Sequence, residues 1–344
     1  MTDMRNMTKK GKVLIVDDEK ANIVALTHIL APDYTVYAAK SGQDGIETVK
    51  EHLPDVVLLD IRMPDMDGYE VLSILKSMEK TQQIPVIFVT GLSNAVDEEK
   101  GLALGAADYI AKPFVPAIVK LRVQNQFSQL RQLSMIVELR DVILDTIAEL
   151  VERRDNVTGG HIERTQSYLR LLIRLLLENG IYADELSTWD VDLFILSSQL
   201  HDVGKISIQD SILLKPGKLT REEYENMKEH VSFGNEIIDG IKGKTNATMF
   251  LRHATLLTGS HHEKWNGTGY PLGLKGEEIP LQGRLMALAD VYDALTSGRP
   301  YKKAFPHSEA LKTIKMGMGT HFDPLLCETF IRHEKEFESL LKRL

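Results

Sequence analysis

Val13-Leu14-Ile15-Val16-Asp17-Asp18-Glu19 is a four-residue apolar run that stops on three acids, and the figure returns as Val56-Val57-Leu58-Leu59-Asp60 and Val86-Ile87-Phe88-Val89-Thr90. Short unbroken runs of Val, Ile and Leu belong to strands covered on both faces. Amphipathic stretches over Asn22–Leu30, Gly42–His52 and Gly68–Lys76 lie among them. Alternation of this kind predicts a parallel sheet wrapped by helices. With a further strand expected at Asp108–Ile110, the front of the chain reads as a five-stranded, doubly wound, flavodoxin-like α/β fold.

In such a sheet the ligand site lies beyond the carboxyl ends of the strands. Asp17, Asp18, Asp60, Thr90 and Lys112 therefore converge on one edge. Clustered carboxylates repel one another unless a hard cation neutralises them. Magnesium held by one or two carboxylates, waters and a phosphate does so, with the lysine and threonine left for phosphoryl oxygens. Acids that merely cap helices would explain Asp17 or Thr90 alone, but not all five in this order.

From about Lys12 to Lys120 the segment resembles the response-regulator receiver domain. The residues that carry the likeness are V-D-D-E at 16–19, D-I-R-M-P-D-M-D-G at 60–68 and K-P-F at 112–114. The resemblance implies that Asp60 is the phosphoacceptor, that Asp18 and Asp17 hold magnesium, that Thr90 and Lys112 contact the phosphate, and that Tyr109 is the switch aromatic. It also implies a cis peptide at Lys112–Pro113 and a cognate histidine kinase as partner.

The whole chain has 344 residues, 43% hydrophobic and 26% charged, with one cysteine. That composition is ordinary for globular domains, and a lone Cys327 gives no reason to expect an oxidising compartment. The basic opening stretch lacks an apolar h-region and reads as a solvated tail over 1–11. Leu169–Leu177 carries Arg170 and Arg174 and falls short of the ~20 apolar residues of a membrane span. The expectation is a cytoplasmic protein without a membrane partner. Net charge is −8, with the acidic excess concentrated before Val115. The rest shows no basic stripe of the kind direct DNA binding would need.

Val115–Arg154 contains no glycine, and Pro116 sits where a helix start tolerates it. Leu130, Val137, Leu144 and Val151 recur every seven residues, with Leu133 and Ile147 in the alternate register and Arg140 breaking it. This is the pattern of a helix-pairing seam in a homodimer, and equally of one helix packed on its own domain. The domain expectation is a receiver over 12–120, a linker helix over 121–146 and an output domain over 147–344.

Behind the linker the strand pattern vanishes and helical periodicity takes over, in His161–Leu177, Val191–His201 and Arg221–Ile238, so the second domain is expected to be all α. Nine of the 11 histidines lie there, several beside acids. Imidazole and carboxylate together suit iron, manganese, nickel or zinc. His253, His307, His321 and His333 stand alone and are read as ordinary helix histidines, as are His28 and His52.

Five stretches carry the signal: T-G-G-H at 158–161, H-D-V-G-K at 201–205, E-H-x-x-x-G at 229–234, H-H-E-K-W-N-G-T-G-Y-P at 261–271 and A-D-V-Y-D-A-L-T-S-G-R-P-Y-K at 289–302. Over roughly Ile147–Phe330 they resemble the HD-GYP family of cyclic di-GMP phosphodiesterases. The resemblance implies His161, His201, Asp202, His230, His261, His262 and Asp290 as ligands of two transition-metal ions (iron, manganese or nickel), with Asp202 bridging. It implies Lys205 at the scissile phosphate, and Arg299, Lys302 and Tyr270 as substrate contacts. The Gly-Tyr-Pro loop is also the expected docking surface for a diguanylate cyclase, although Gly269 and Pro271 would suit a plain turn as well.

Water activated between two Lewis acids would then open cyclic di-GMP to linear pGpG, and onward to GMP. Three positions depart from the family. Val157 stands where members with a third metal carry Glu, which favours two ions and pGpG; Asn266 and Gln209 replace a frequent Asp and Pro in loops. Two other readings keep the same site: a slow or inactive cyclic-di-GMP-binding signalling module, and an HD hydrolase for another nucleotide, such as a mixed cyclic dinucleotide or a guanosine polyphosphate.

Overall fold

The computed structural model describes residues 10–91, 101–155, 160–298 and 304–344, and the chain divides into two compact units, Met1–Glu138 and Leu139–Leu344. In the first unit β1 (Lys12–Val16), β2 (Thr35–Ala39), β3 (Val56–Asp60), β4 (Val86–Thr90) and β5 (Asp108–Ala111) form a parallel sheet in the order β2-β1-β3-β4-β5. Side chains alternate across it. Leu14, Val16, Leu59 and Phe88 pack with Ile46 and Leu72 on one face, while Ile15, Leu58, Ile87 and Val89 pack with Leu26, Leu30 and Val123 on the other. Both faces are buried, so the strands carry no polar alternation.

Strand order reverses between β1 and β3, which places Asp17 and Asp60 on either side of the crevice there. The flanking helices start where the sequence offers caps. Ser41 accepts from the Asp44 amide, and Asp67 and Glu70 form a reciprocal capping box. The Lys112–Pro113 peptide is cis, as expected, and so is Tyr270–Pro271.

A single helix, Pro116–Arg154, runs through the boundary between the units. Val119, Val123 and Phe127 are buried against the sheet of the first unit, and Ala148 and Val151 are buried in the second. The seven-residue pattern is thereby divided. Leu130 packs on the first unit's core and Leu144 beside Leu200, Ile238 and Leu251, while Leu133, Ile136 and Val137 between them remain exposed.

The second unit is helical. Its centre is Leu281–Thr296, buried nearly all round, with Gln282, Arg284 and Asp293 among its buried side chains. Around it pack His161–Glu178, Val191–Ser197, Thr248–Ser260, His307–Gly317, Pro324–Arg332 and Glu334–Leu341, sharing a core that includes Tyr168, Phe194, Tyr292, Phe330 and Phe337.

Two helices end earlier than their periodicity predicts. Val191–His201 tightens into a 3₁₀ turn at Ser198–Leu200, where the Ser197 and Ser198 hydroxyls donate to the carbonyls of Phe194 and Ile195. Arg221–Ile238 divides at Glu229 into Arg221–Lys228 and His230–Lys242. Both interruptions fall immediately before a histidine of the site.

Gly68, at the start of the Gly68–Ser77 helix, has no room for a Cβ: it would meet the Asp60 carbonyl oxygen and lie 2.9 Å from Ile61 Cα. Gly68→Ala is therefore expected to destabilise the first unit by about 1–3 kcal/mol, seen as a lower urea midpoint of its own transition in the full chain, with the second unit's transition unmoved.

Candidate functional site

At the sheet edge, ligand atoms of Asp17, Asp18 and Asp60 all lie within 4.8 Å of one another. Lys112, beyond β5, reaches back between them: its Nζ is 2.8 Å from Asp60 Oδ2 and 3.0 Å from Asp17 Oδ2. Burial raises the Asp60 pKa, and the neighbouring Asp17 adds to this, against the lowering pull of Lys112. Burial would lower Lys112, yet its two carboxylate partners leave it raised. Thr90 is buried at the end of β4, and Tyr109 on β5 lies with its ring 5.8 Å from that of Phe88.

The second site is assembled from five separate places. His161 opens the His161–Glu178 helix; His201 and Asp202 follow the 3₁₀ turn; His230 opens its helix after the break at Glu229; His261 and His262 follow Thr248–Ser260; Asp290 lies within the buried Leu281–Thr296. They form two donor groups, one of Asp202, His230, His261 and His262, the other of His161, His201 and Asp290, each with its ligand atoms within 4.8 Å of one another. Asp202 faces both. Its Oδ1 is 3.4 Å from His230 Nε2 and 3.6 Å from His261 Nε2, and its Oδ2 is 3.4 Å from His201 Nε2.

The outer nitrogens set the imidazoles. His201 Nδ1 lies 2.8 Å from the Ser198 carbonyl, His230 Nδ1 2.7 Å from that of Met227, and His261 Nδ1 3.1 Å from those of Leu257 and Thr258. A carbonyl can only accept, so each Nδ1 carries the proton and each Nε2 presents its lone pair inward. Those inward atoms, with Asp202 Oδ1, are buried and have no hydrogen-bond partner. Buried polar atoms without partners are costly, and divalent ions would satisfy them together, so the donor set fits two metals. Burial lowers His230 to about 4 and holds His262 well below its ordinary value, so both imidazoles stay neutral near pH 7.

Lys205 Nζ is 2.7 Å from both Asp202 Oδ2 and Asp155 Oδ2. Burial works against its charge, but the two carboxylates win and raise its pKa, so it is a permanent cation beside the donor set. The backbone turn that delivers it depends on Gly204, whose missing Cβ leaves room for the His230 carbonyl and the Gly234 amide. Six of these seven donors, all but His261, border a cavity of about 260 Å³ together with Lys205 and Tyr270. The Tyr270 ring stacks on His262 at 4.7 Å.

All seven expected ligands thus meet in one place, while His253, His307, His321 and His333 belong to neither donor group. Arg299, Lys302 and Val157 lie outside the described residues. Asn266 Oδ1 accepts from the Thr268 amide and hydroxyl in a tight local turn, and Gln209 precedes a short helix without capping it.

Sequence reasoning missed the supporting carboxylates. Asp293 lies 2.7 Å from His161 Nδ1 and 2.6 Å from Arg164 Nε; burial would raise it, but these two partners hold it below the usual carboxylate range. Its signal was the three-residue spacing from Asp290, which puts both acids on one helix face. Glu263, beside the two histidines, accepts three backbone N–H bonds from Leu272, Gly273 and Leu274 at 2.8–3.1 Å and so shapes the loop after Tyr270.

Such outer partners fix ligand orientation. Asp293→Asn is expected to weaken metal binding by about 10- to 100-fold on the His161 side, measured by titration against a competing chelator; an unchanged affinity would show that the helix alone holds His161.

Comparison with protein-family models matches residues 13–124 to the response regulator receiver domain and residues 148–326 to the HD domain. A probable cyclic di-GMP phosphodiesterase of Vibrio cholerae is 41% identical over 350 residues, covering 96% of this chain and 79% of the relative. The cyclic di-GMP phosphodiesterase response regulator RpfG of Xanthomonas campestris is 35% identical, over 95% of this chain and 89% of its own. A 3'3'-cGAMP-specific phosphodiesterase of Vibrio cholerae is 35% identical over 64% of this chain and 40% of its own length. No helix among the described residues is long and apolar enough to cross a membrane. With both domains matched and the first two of these relatives aligned along nearly its full length, the chain belongs to the family of response regulators in which a receiver domain is followed by an HD domain.

Proposed function

We propose that this protein is a phosphorylation-regulated, metal-dependent phosphodiesterase that opens cyclic di-GMP to linear pGpG. The observation that supports it most is the pair of donor groups sharing Asp202, with three inward imidazole nitrogens and Asp202 Oδ1 buried and unpartnered. A module that only bound the dinucleotide would have no use for them.

His161, His201 and Asp290 would hold one ion and His230, His261 and His262 the other, with Asp202 between. Bound there, two divalent ions supply Lewis acidity that makes water a nucleophile near neutral pH and spreads the phosphoryl charge. The remaining work is the chain's own. Lys205, held by Asp155 and Asp202, presents a fixed positive charge to a non-bridging phosphate oxygen. Tyr270 closes one side of the cavity against His262, and Arg299 and Lys302 are assigned to the outer phosphate.

In the receiver, Asp60 is the proposed phosphoacceptor, with Asp17 and Asp18 for magnesium and Thr90, Lys112 and Tyr109 as the responding groups. A phosphoryl group on Asp60 adds charge and acceptor oxygens where Lys112 now pairs with Asp60 and Asp17. The ammonium must then redistribute its bonds, and helix Pro116–Arg154, taken as the linker over 121–146, is the proposed carrier of the change.

Purified chain loaded with manganese or iron is expected to convert cyclic di-GMP to pGpG, resolved by chromatography, with 3'3'-cGAMP run in parallel. His201→Ala and Asp202→Ala should each retain less than about one-hundredth of the rate. Binding without turnover under every metal would favour the signalling-module reading instead. Separately, beryllofluoride is expected to change the turnover of the native chain and to leave Asp60→Asn unmoved; identical rates with and without it would remove the receiver from control of catalysis.

A further inference from the structure

Helix Pro116–Arg154 ends beside the turn that delivers Lys205, and its last residue has no part in anything described so far. The Arg154 guanidinium has five N–H donors, and all five are engaged. Nη1 donates to the Lys205 carbonyl at 3.2 Å and to the Ile206 carbonyl. Nη2 donates to the Ile208 carbonyl at 2.7 Å and to Asp210 Oδ1 at 2.8 Å, and Nε to the same oxygen at 3.1 Å. The three carbonyls lie along the end of the 3₁₀ turn Val203–Ser207, where helical turns run short of donors of their own.

The next residue, Asp155, takes hold of the other end of the same lysine, accepting from Lys205 Nζ at 2.7 Å. Two consecutive residues therefore grip Lys205, one at its backbone and one at its ammonium. A lysine stem is long and flexible, so the ammonium alone does not determine where its remaining donor points. Asp155 and Asp202 occupy two of the three donors, and the direction of the third depends on where the turn lies. The Asp210 side chain is 67% exposed, so that ion pair by itself adds little. The fork onto the carbonyls is the part that only an arginine can make.

We propose that Arg154 is a positioning residue for phosphodiester cleavage: its guanidinium fixes the Lys205 turn so that the ammonium meets the scissile phosphate. The inference rests on the hydrolase reading above and assigns a role within it. Lys205 and Asp155 border the metal cavity, whereas Arg154 is not among the residues lining it. Its effect on the reaction therefore passes through the lysine. The charge of Lys205 stays as it is throughout; what Arg154 sets is its place. Electrostatic stabilisation works only where the charge is already aimed at the oxygen that becomes more negative, and a displacement of about 1 Å is enough to lose much of it.

The test uses the full-length, metal-loaded chain with cyclic di-GMP. Arg154→Ala should keep two metal equivalents and a nearly unchanged KM while kcat falls about 10- to 100-fold. Arg154→Lys keeps the charge but has too few donors for the fork, and its kcat should fall about as far. The deciding readout is a double-mutant cycle. In a Lys205→Met background, adding Arg154→Ala should change kcat by less than about twofold, because the group it positions is gone. A residue that merely steadied the fold would lower kcat equally in both backgrounds, and that result would overturn the proposal. So would a native kcat in Arg154→Lys, or loss of a metal equivalent in Arg154→Ala, since the guanidinium would then be holding the donor set rather than the lysine. Each of these leaves the hydrolase reading intact. Absence of turnover in the unsubstituted chain would sink that reading, and this proposal with it.

Discussion

A carboxylate can be buried in its ionised form only if positive charge or hydrogen-bond donors surround it, and Asp202 is where the second unit meets that demand. Burial alone would raise its pKa, but Lys205 drives it far below the ordinary value. The 3₁₀ turn, the break at Glu229 and the close approach of Gly204 to the His230–Lys242 helix bring Lys205, His201 and His230 around it. Each is a departure from regular helix, and each lies within a few residues of a donor. The core supplies the rigid frame, and the irregular backbone aims the donor side chains.

The fold was legible to different depths in the two halves. Strands β1, β3 and β4 show as unbroken apolar runs because both their faces are covered. β2 does not, because Thr35, Val36 and Tyr37 stay partly open at the sheet edge. The helices of the second unit follow from periodicity, but their ends at Ser197 and Lys228 do not, since local hydroxyl bonds and tertiary packing override the period. The seven proposed ligands were legible through a family likeness rather than through spacing, because they come from five segments that only tertiary structure unites. Asp293 and Glu263 were not, since one buried acid in a helix or loop looks like any other until its partners are known.

Helix Pro116–Arg154 shows how one periodic pattern serves two purposes. Its seven-residue repeat could describe a paired seam or a packed face, and the structure uses it as a packed face at both ends. Leu130 and Leu144 belong to different cores, whereas Leu133, Ile136 and Val137 face solvent with no core to join. Periodicity alone could not separate these cases, because packing inside a domain and pairing between helices reward the same spacing.

The two sites share a single electrostatic device. In the first unit Lys112 bridges Asp17 and Asp60; in the second Lys205 bridges Asp155 and Asp202. In both, one ammonium lies between two carboxylates that would otherwise repel, beside a group of donors suited to a divalent ion. Such buried pairs add little to net stability, because desolvation offsets most of the attraction, so their placement points to chemistry. A lysine suits the task better than an arginine. Its charge is compact and its three donors swivel, so it can hold the carboxylates together and then turn one hydrogen toward a phosphoryl oxygen when a phosphate arrives. A guanidinium would lock bidentately onto one carboxylate and have to break that grip first. The same arrangement, one ammonium between two acids beside donors suited to a divalent ion, thus occurs on a parallel sheet and on a helical scaffold.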